Sequence, residues 1–93
     1  MTQPIRILLV DDQELIRLGF RMVLDAEEDL EVVGEAADGA SAVTAVEALQ
    51  PHVVLMDVRM PGVDGITATE RIVEAHPDAR ILVLTTFDLD EYA

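Results

Sequence analysis

Three groups of polar side chains follow short apolar runs in this sequence, and their types suit phosphoryl chemistry. Asp11-Asp12 follow the run IRILLV, Asp57 follows VVLM, and Thr85-Thr86 follow RILVL. Like charges about 4 Å apart repel by about 4 kcal/mol at an effective dielectric of roughly 20. Crowded carboxylates therefore retain a proton or bind a cation, and oxygen ligands without histidine or cysteine favour Mg²⁺. Beside such an ion, Asp57 is a candidate nucleophile toward a phosphoryl group, and the Thr85 hydroxyl is a candidate hydrogen-bond partner of that group.

Each of these residues also has a simpler structural interpretation when it is taken alone. Asp11 or Asp12 is a candidate cap for the helix that follows. Asp57 is an acid at a strand end before a turn, and Thr85 is an ordinary strand residue. Their joint placement at one edge of a sheet is what favours the functional interpretation.

The elements that must position these residues alternate between strands and helices. Apolar runs predict strands, and apolar residues three and four apart predict helices. The predicted strands are 5–10, 30–36, 53–56 and 80–84. The predicted helices are 13–25, one that follows the turn Asp38-Gly39 and runs to about Gln50, one from Asp64 to before Pro77, and a fourth beginning at the capping pattern Asp88-x-x-Glu91. This order predicts an α/β fold with a parallel sheet covered on both faces. Ligands of such sheets bind beyond the carboxyl ends of the strands.

The apolar spacing also predicts which side each helix buries. The first helix is expected to bury Ile16, Phe20, Val23 and Leu24, with a second apolar row at Leu15, Leu18 and Met22. The second is expected to bury Ala42, Ala45, Val46 and Leu49, and the third Ile66, Thr69 and Val73. Glu31, Gly34 and Glu35 indicate that the second strand lies at an edge of the sheet.

Composition limits the chain to a single small domain, residues 1–93, and excludes several kinds of site. The formal charge is −13 and lysine is absent, so direct binding to nucleic acid or an anionic membrane is not expected. The absence of cysteine excludes disulfides and thiolate metal sites. No apolar run approaches the length of about 18 residues needed to cross a bilayer. These features favour a cytoplasmic location.

The motifs resemble the receiver domain of bacterial response regulators in two-component systems. The resemblance rests on Asp11-Asp12, on Asp57-x-x-Met60-Pro61-x-x-Asp64-Gly65 and on Thr85, in order and along essentially the whole chain. It implies a flavodoxin-like sheet with strand order 2-1-3-4. The segments 17–21, 30–36 and 38–39 are most similar to receivers that precede a helix-turn-helix DNA-binding domain of the LuxR/FixJ type.

The resemblance implies a role for each residue of the motif. Asp57 would accept a phosphoryl group from the phosphohistidine of a sensor histidine kinase. Asp12 and Asp57 would hold Mg²⁺ together with the main-chain carbonyl of Arg59, while Asp11 acts mainly through water. Thr85 would be the switch hydroxyl that moves toward the phosphoryl group.

The sequence departs from the family pattern at its end. Family members continue through a fifth strand and a fifth helix, and the fifth strand carries a lysine that this sequence lacks. The chain therefore resembles a receiver truncated before the fifth strand, with DNA contact left to a separate output domain. Without a covering helix, Ile81, Val83 and their neighbours are expected to be exposed and to favour self-association or dimerisation.

Two other functions remain open from the sequence. One is a receiver-like protein-interaction module that is never phosphorylated. The other is a phosphatase with an aspartate nucleophile, but such enzymes resemble D-x-D at the nucleophile, and here Arg59 occupies the second acidic position.

Overall fold

The computed structural model describes residues 3–57 and 65–84, and it confirms the alternation of strands and helices. The elements are β1 (Ile5–Val10), α1 (Glu14–Asp25), β2 (Leu30–Ala36), α2 (Gly39–Leu49), β3 (Val53–Asp57), α3 (Gly65–Ala75) and β4 (Arg80–Leu84). The strands pair in parallel in the order β2-β1-β3-β4. The flavodoxin-like order and the edge position of β2 are therefore confirmed. The predicted cap Asp64 and the helix predicted from Asp88 lie outside the described residues.

The sheet has helices on both faces, and the two layers of core are unequal. Leu8 and Val10 of β1 point to the α2–α3 face, where they join a cluster completed by Ala36, Ala42, Val46, Val54, Met56, Ala68 and Ile72. Ile7 and Leu9 point to the other face and form a smaller cluster with Val32, against which Phe20 and Leu24 of α1 pack. Full burial of a side chain such as Leu8 or Ile72 contributes about 1.5–3 kcal/mol. The larger cluster therefore fixes β1 and β3, whose ends carry the candidate site.

The face that α3 buries differs from the prediction. Ala68 and Ile72 are fully buried, Thr69 is half-buried, and Ile66 and Val73 are 62% and 49% exposed. The helix is turned so that Ala68 and Ile72, which are four residues apart and share one face, pack into the core cluster in place of Ile66 and Val73. The predicted period was right, but two of the three predicted inward residues were wrong.

The beginning of α1 also differs from the prediction. Its N-cap residue is Gln13, whose side chain makes no capping bond, so neither Asp11 nor Asp12 is the cap. Asp11 lies two residues too early and its Oδ1 instead accepts from the Gln13 main-chain N–H at 2.8 Å, closing a turn. The carboxylate thus belongs to the end of β1 rather than to the helix.

The helix α1 covers its face of the sheet loosely. None of its residues is buried, and Val23, predicted to face inward, is 68% exposed. The second apolar row, Leu15, Leu18 and Met22, is 78%, 51% and 67% exposed. The helix rests on the sheet mainly through Phe20 and Leu24.

The apolar side chains of β4 were expected to be exposed, and the structure agrees only in part. Ile81 is half-buried and packs against the α2–α3 core, so the prediction that it is exposed was wrong. Val83 is 48% exposed, as expected. Leu82, which pairs in register with Leu55, is 55% exposed. On the α1 face of β4 it is Leu82, and not Ile81, that presents apolar surface.

The β1–β2 pair contains one irregularity. The register passes from Ile7↔Val32 to Leu8↔Gly34, so Val33 is an extra residue in β2. A Cβ placed on Gly34 would lie 2.6 Å from Leu49 Cδ1 and 3.4 Å from Leu8 Cδ1. The bulge thus brings the β2 backbone close to α2, and glycine provides the room.

Among residues 3–57 and 65–84, no helix has both the length and the apolar character that spanning a bilayer requires.

Candidate functional site

The candidate site lies at the carboxyl edge of the sheet, where β1 and β3 end side by side. Val10 pairs with Met56, so Asp11 and Asp57 are the next residues on two adjacent strands. Carboxylate oxygens of Asp11, Asp12 and Asp57 all lie within 4.8 Å of one another. The sequence predicted these residues at one edge, and the structure brings all three together.

The carboxylates differ in their exposure to solvent. Asp11 is 6% exposed and Asp57 is 4% exposed, whereas Asp12 is exposed. Burial raises the pKa of Asp11, and the charges of Asp57 and Asp12 raise it further, although the hydrogen bond from the Gln13 main-chain N–H acts in the opposite direction. The carboxylates at this edge therefore repel one another, and protonation or a bound cation reduces that repulsion.

The donor set fits a hard divalent cation. The clustered groups are carboxylates, which suit Mg²⁺, and an exposed member beside two buried ones leaves room for the waters that Mg²⁺ retains. Receiver domains typically bind Mg²⁺ at an acidic pocket of this kind.

Two residues predicted for the site cannot be placed in it. Arg59 and Thr85 lie outside the described residues, so their expected roles remain predictions. β4 pairs with β3 as far as Leu84↔Asp57, and β4 therefore ends next to the strand that carries the candidate nucleophile.

A polar network of two arginines and a glutamate lies beside the site and was not predicted from the sequence. Arg17 of α1 donates from Nε to Glu35 Oε1 at 3.0 Å and from Nη1 to the Asp11 main-chain oxygen. Arg21 donates from Nη1 to Glu35 Oε2 at 2.7 Å. The four-residue spacing of the arginines does show that they share a helix face. Their common acceptor on β2 could not be found without the fold.

The parallel sheet and its acidic edge define an α/β domain built around a buried aspartate, and comparison with known proteins gives the family. The sequence model described as "Response regulator receiver domain" matches residues 7–93. The chain belongs to the response regulator receiver family, as its motifs predicted.

Two relatives with curated sequences are transcriptional regulatory proteins. The chain is 48% identical over 88 residues to the uncharacterized transcriptional regulatory protein YxjL of Bacillus subtilis, covering 95% of this chain and 40% of that protein. It is 47% identical over 87 residues to the transcriptional regulatory protein LiaR of the same organism, covering 94% of this chain and 41% of that protein. The chain thus spans about two fifths of the length of these relatives.

Solved structures agree with this assignment. A two-component response regulator of the LuxR family from Aurantimonas sp. superposes with a TM-score of 0.86 at 37% identity, over 92% of this chain and 61% of that one. The response regulator domain of Thermotoga maritima CheB gives a TM-score of 0.86 at 35% identity, over 89% and 61% of the two chains. The likeness to LuxR-type receivers, expected from the sequence, is confirmed.

Proposed function

We propose that the chain is a phosphorylation switch in which Asp57 accepts a phosphoryl group from a sensor histidine kinase. One observation carries the proposal: in a chain of the receiver family, Asp57 ends a central strand with its carboxylate within 4.8 Å of those of Asp11 and Asp12. The buried position of Asp57 holds the nucleophile on a rigid strand, and the exposed Asp12 opens the cluster to solvent.

The transfer makes one bond and breaks one. A carboxylate oxygen of Asp57 bonds to phosphorus as the phosphorus–nitrogen bond of the kinase's phosphohistidine breaks, and the imidazole nitrogen keeps the electron pair of that bond. The product is an aspartyl phosphate. Water attacking the same phosphorus later returns Asp57 to its carboxylate, so the chain acts as a signalling acceptor rather than as an enzyme with an external substrate.

The neighbouring residues of this chain have separate tasks in the proposal. Asp12 and Asp57, with the main-chain carbonyl of Arg59, would hold Mg²⁺, and Asp11 would act mainly through water. The ion, when bound, neutralises the charge that a phosphoryl group brings to three carboxylates. Thr85 would donate its hydroxyl to a phosphoryl oxygen and report its arrival.

The proposed partners follow from the family. The kinase is the phosphoryl donor, and the output is transcription through a helix-turn-helix domain of the parent protein, with the chain located in the cytoplasm. The formal charge of −13 disfavours DNA contact by these residues themselves. The transcriptional regulators among the relatives support this assignment.

The direct test is phosphorylation by a small donor. The protein is incubated with Mg²⁺ and acetyl phosphate and its intact mass is measured, with Asp57→Asn as the matched control. We expect a single phosphoryl adduct that hydroxylamine removes and that is absent from Asp57→Asn. Omitting Mg²⁺ should abolish the adduct.

Other outcomes point to the alternatives. Continuous release of phosphate with turnover would favour an aspartate-nucleophile phosphatase. An unmodified chain that retains its fold would contradict the proposal and leave the protein-interaction module.

A further inference from the structure

Both main-chain polar groups of Asp11, its N–H and its carbonyl oxygen, form hydrogen bonds. Its N–H donates to the Ala36 main-chain oxygen at 3.1 Å, which extends the β1–β2 ladder by one residue. Its carbonyl oxygen accepts from Arg17 Nη1. Its side chain accepts from the Gln13 N–H at 2.8 Å. These bonds fix where β1 ends and where the chain turns toward α1.

The guanidinium group of Arg17 connects three elements at this point. It lies between the Asp11 carbonyl at the end of β1 and the Glu35 carboxylate on β2, and its own backbone belongs to α1. The side chains of Arg17 and Glu35 are 15% and 27% exposed, so the pair is partly accessible to solvent. The planar guanidinium presents its Nε and Nη1 donors to these two acceptors in a fixed geometry, whereas the lysine ammonium is a compact point charge on a flexible chain.

Arg21 provides an internal comparison. It lies on the same helix, binds the same Glu35 carboxylate at 2.7 Å and carries the same charge. It differs in being 41% exposed, and its recorded hydrogen bond and ion pairs go to Glu35 and Asp25 rather than to Asp11. A role that only attaches α1 to β2 would be shared by both arginines.

We propose that Arg17 is a positioning residue for the carboxylate site. By joining the Asp11 carbonyl to Glu35, it holds the end of β1 so that Asp11 and Asp12 face Asp57 at metal-binding distance. This inference rests on the proposed function, because the geometry it maintains is that of the proposed Mg²⁺ site.

Charge and positioning make opposite predictions for Mg²⁺ affinity. Arg17 is a cation near the site, so its removal should tighten Mg²⁺ binding if its charge alone mattered. If Arg17 positions the carboxylates, its removal should weaken binding, and residues that orient metal ligands typically contribute about 10-fold or more to affinity. The sign of the change therefore separates the two effects.

The experiment measures the dissociation constant of Mg²⁺ for the wild-type chain, Arg17→Gln, Arg17→Lys and Arg21→Gln, with MgCl₂ as the probe. We expect Arg17→Gln to weaken binding about 10-fold. Arg17→Lys, which keeps the charge, should also weaken it, and Arg21→Gln should leave it unchanged or slightly tighter. Without Mg²⁺, the NMR signal of the Gln13 amide should shift in Arg17→Gln and stay in place in Arg21→Gln.

The failure of this inference is distinguishable from failure of the proposed function. A wild-type chain that binds no Mg²⁺ overturns the proposed site and the positioning role with it. Wild-type binding with equal affinities in Arg17→Gln and Arg21→Gln overturns the positioning role alone. If Arg17→Gln does not fold cooperatively, the Arg17→Lys variant is used instead. A Mg²⁺ affinity of Arg17→Lys equal to that of the wild type would then overturn the inference.

Discussion

Asp11 has a buried carboxylate next to two others, and this makes its ionisation costly. Its pKa is raised above the ordinary value of 3.8 by burial and by the charges of Asp57 and Asp12. A carboxyl group whose folded pKa is raised adds stability below its unfolded pKa and loses that contribution as the pH rises through the folded value. At neutral pH the ionised group therefore lowers the free energy of unfolding.

Asp11→Asn should stabilise the protein at neutral pH in the absence of Mg²⁺. The amide removes the charge while its oxygen can still accept from the Gln13 N–H. The gain over wild type should shrink as the pH falls from 7.5 toward 4, because wild-type Asp11 then takes up a proton. Urea midpoints across this range measure the gain.

Asp78→Asn is the matched control, since Asp78 is an exposed acid in the turn between α3 and β4. It removes the same charge at a distance from the cluster. An equal gain for both variants would contradict a local cause and assign the effect to the net charge of −13. Added Mg²⁺ should stabilise the wild type more than Asp11→Asn.

The positions of the three acids could be predicted from the sequence, but the hydrogen bonds and ion pairs around them could not. Asp11, Asp12 and Asp57 follow apolar runs, and parallel strands bring such positions to one edge whatever the details of packing. The pairing of Arg17 with Glu35 joins residues 18 apart on different elements. It depends on how α1 sits over β2, which the helix period alone does not determine.

At the scale of elements, two glycines have opposite surroundings. Gly19 lies within α1, and a Cβ there would meet nothing within 4 Å, whereas a Cβ on Gly34 would collide with the Leu49 side chain at 2.6 Å. One position has unused space, and the other is filled by α2.

Gly19→Ala should therefore stabilise the protein by about 0.5–1 kcal/mol, because alanine is the better helix former. Gly34→Ala should destabilise it slightly, because the end of the flexible Leu49 side chain must shift to admit the methyl group. Chemical denaturation of the two variants measures both effects, and each serves as the control for the other. Two shifts of the same sign would contradict the local packing described here.

Element bounds were predictable because they depend on local signals, whereas helix orientation depends on tertiary packing. The strand limits 5–10, 30–36 and 80–84 agree with the structure, and β3 is one residue longer than predicted because it includes Asp57. The error in α3 arose because Ile66 and Val73 are more apolar than Ala68, yet the face that α3 turns to the core carries Ala68 and Ile72. The apolar period alone does not determine which of two such faces packs inward.

At the scale of the whole molecule, exposed large apolar side chains are most numerous on α1 among the residues that the structure describes. Leu15, Leu18 and Met22 form a row along one side of the helix and are more than half exposed. Contiguous apolar surface of this kind marks interaction sites. The expectation of self-association, first attached to Ile81 and Val83, is better supported by this row.

We expect the protein to self-associate as its concentration rises, and Leu15→Gln with Met22→Gln to weaken that association. Sedimentation velocity over a range of concentrations measures it. Ile66→Gln, at a 62% exposed position on α3, is the control. A wild-type chain that stays monomeric with a cooperative melt at every concentration would contradict the prediction.

The limited packing of α1 against the sheet affects how readily this helix opens locally. The helix has no buried residue and packs on the sheet through the half-buried Phe20 and Leu24, with ion pairs from Arg17 and Arg21 to Glu35 in addition. By contrast, α2 and α3 contribute fully buried side chains to the core. Local opening requires least free energy where buried apolar contact is least. Amide protons of α1 should therefore exchange with deuterium sooner than those of α2.

Salt should affect amide exchange in α1 more than in α2. It screens the arginine–glutamate pairs of α1, whereas it changes the stability of buried apolar contacts little at moderate concentration. Raising NaCl to about 0.5 M should speed exchange in α1 and leave α2 nearly unchanged. Equal protection of the two helices, or equal sensitivity to salt, would show that α1 is held by packing after all. The attachment of α1 thus includes ion pairs that dissolved salt can weaken, whereas α2 and α3 are held by buried apolar side chains that salt leaves nearly unaffected.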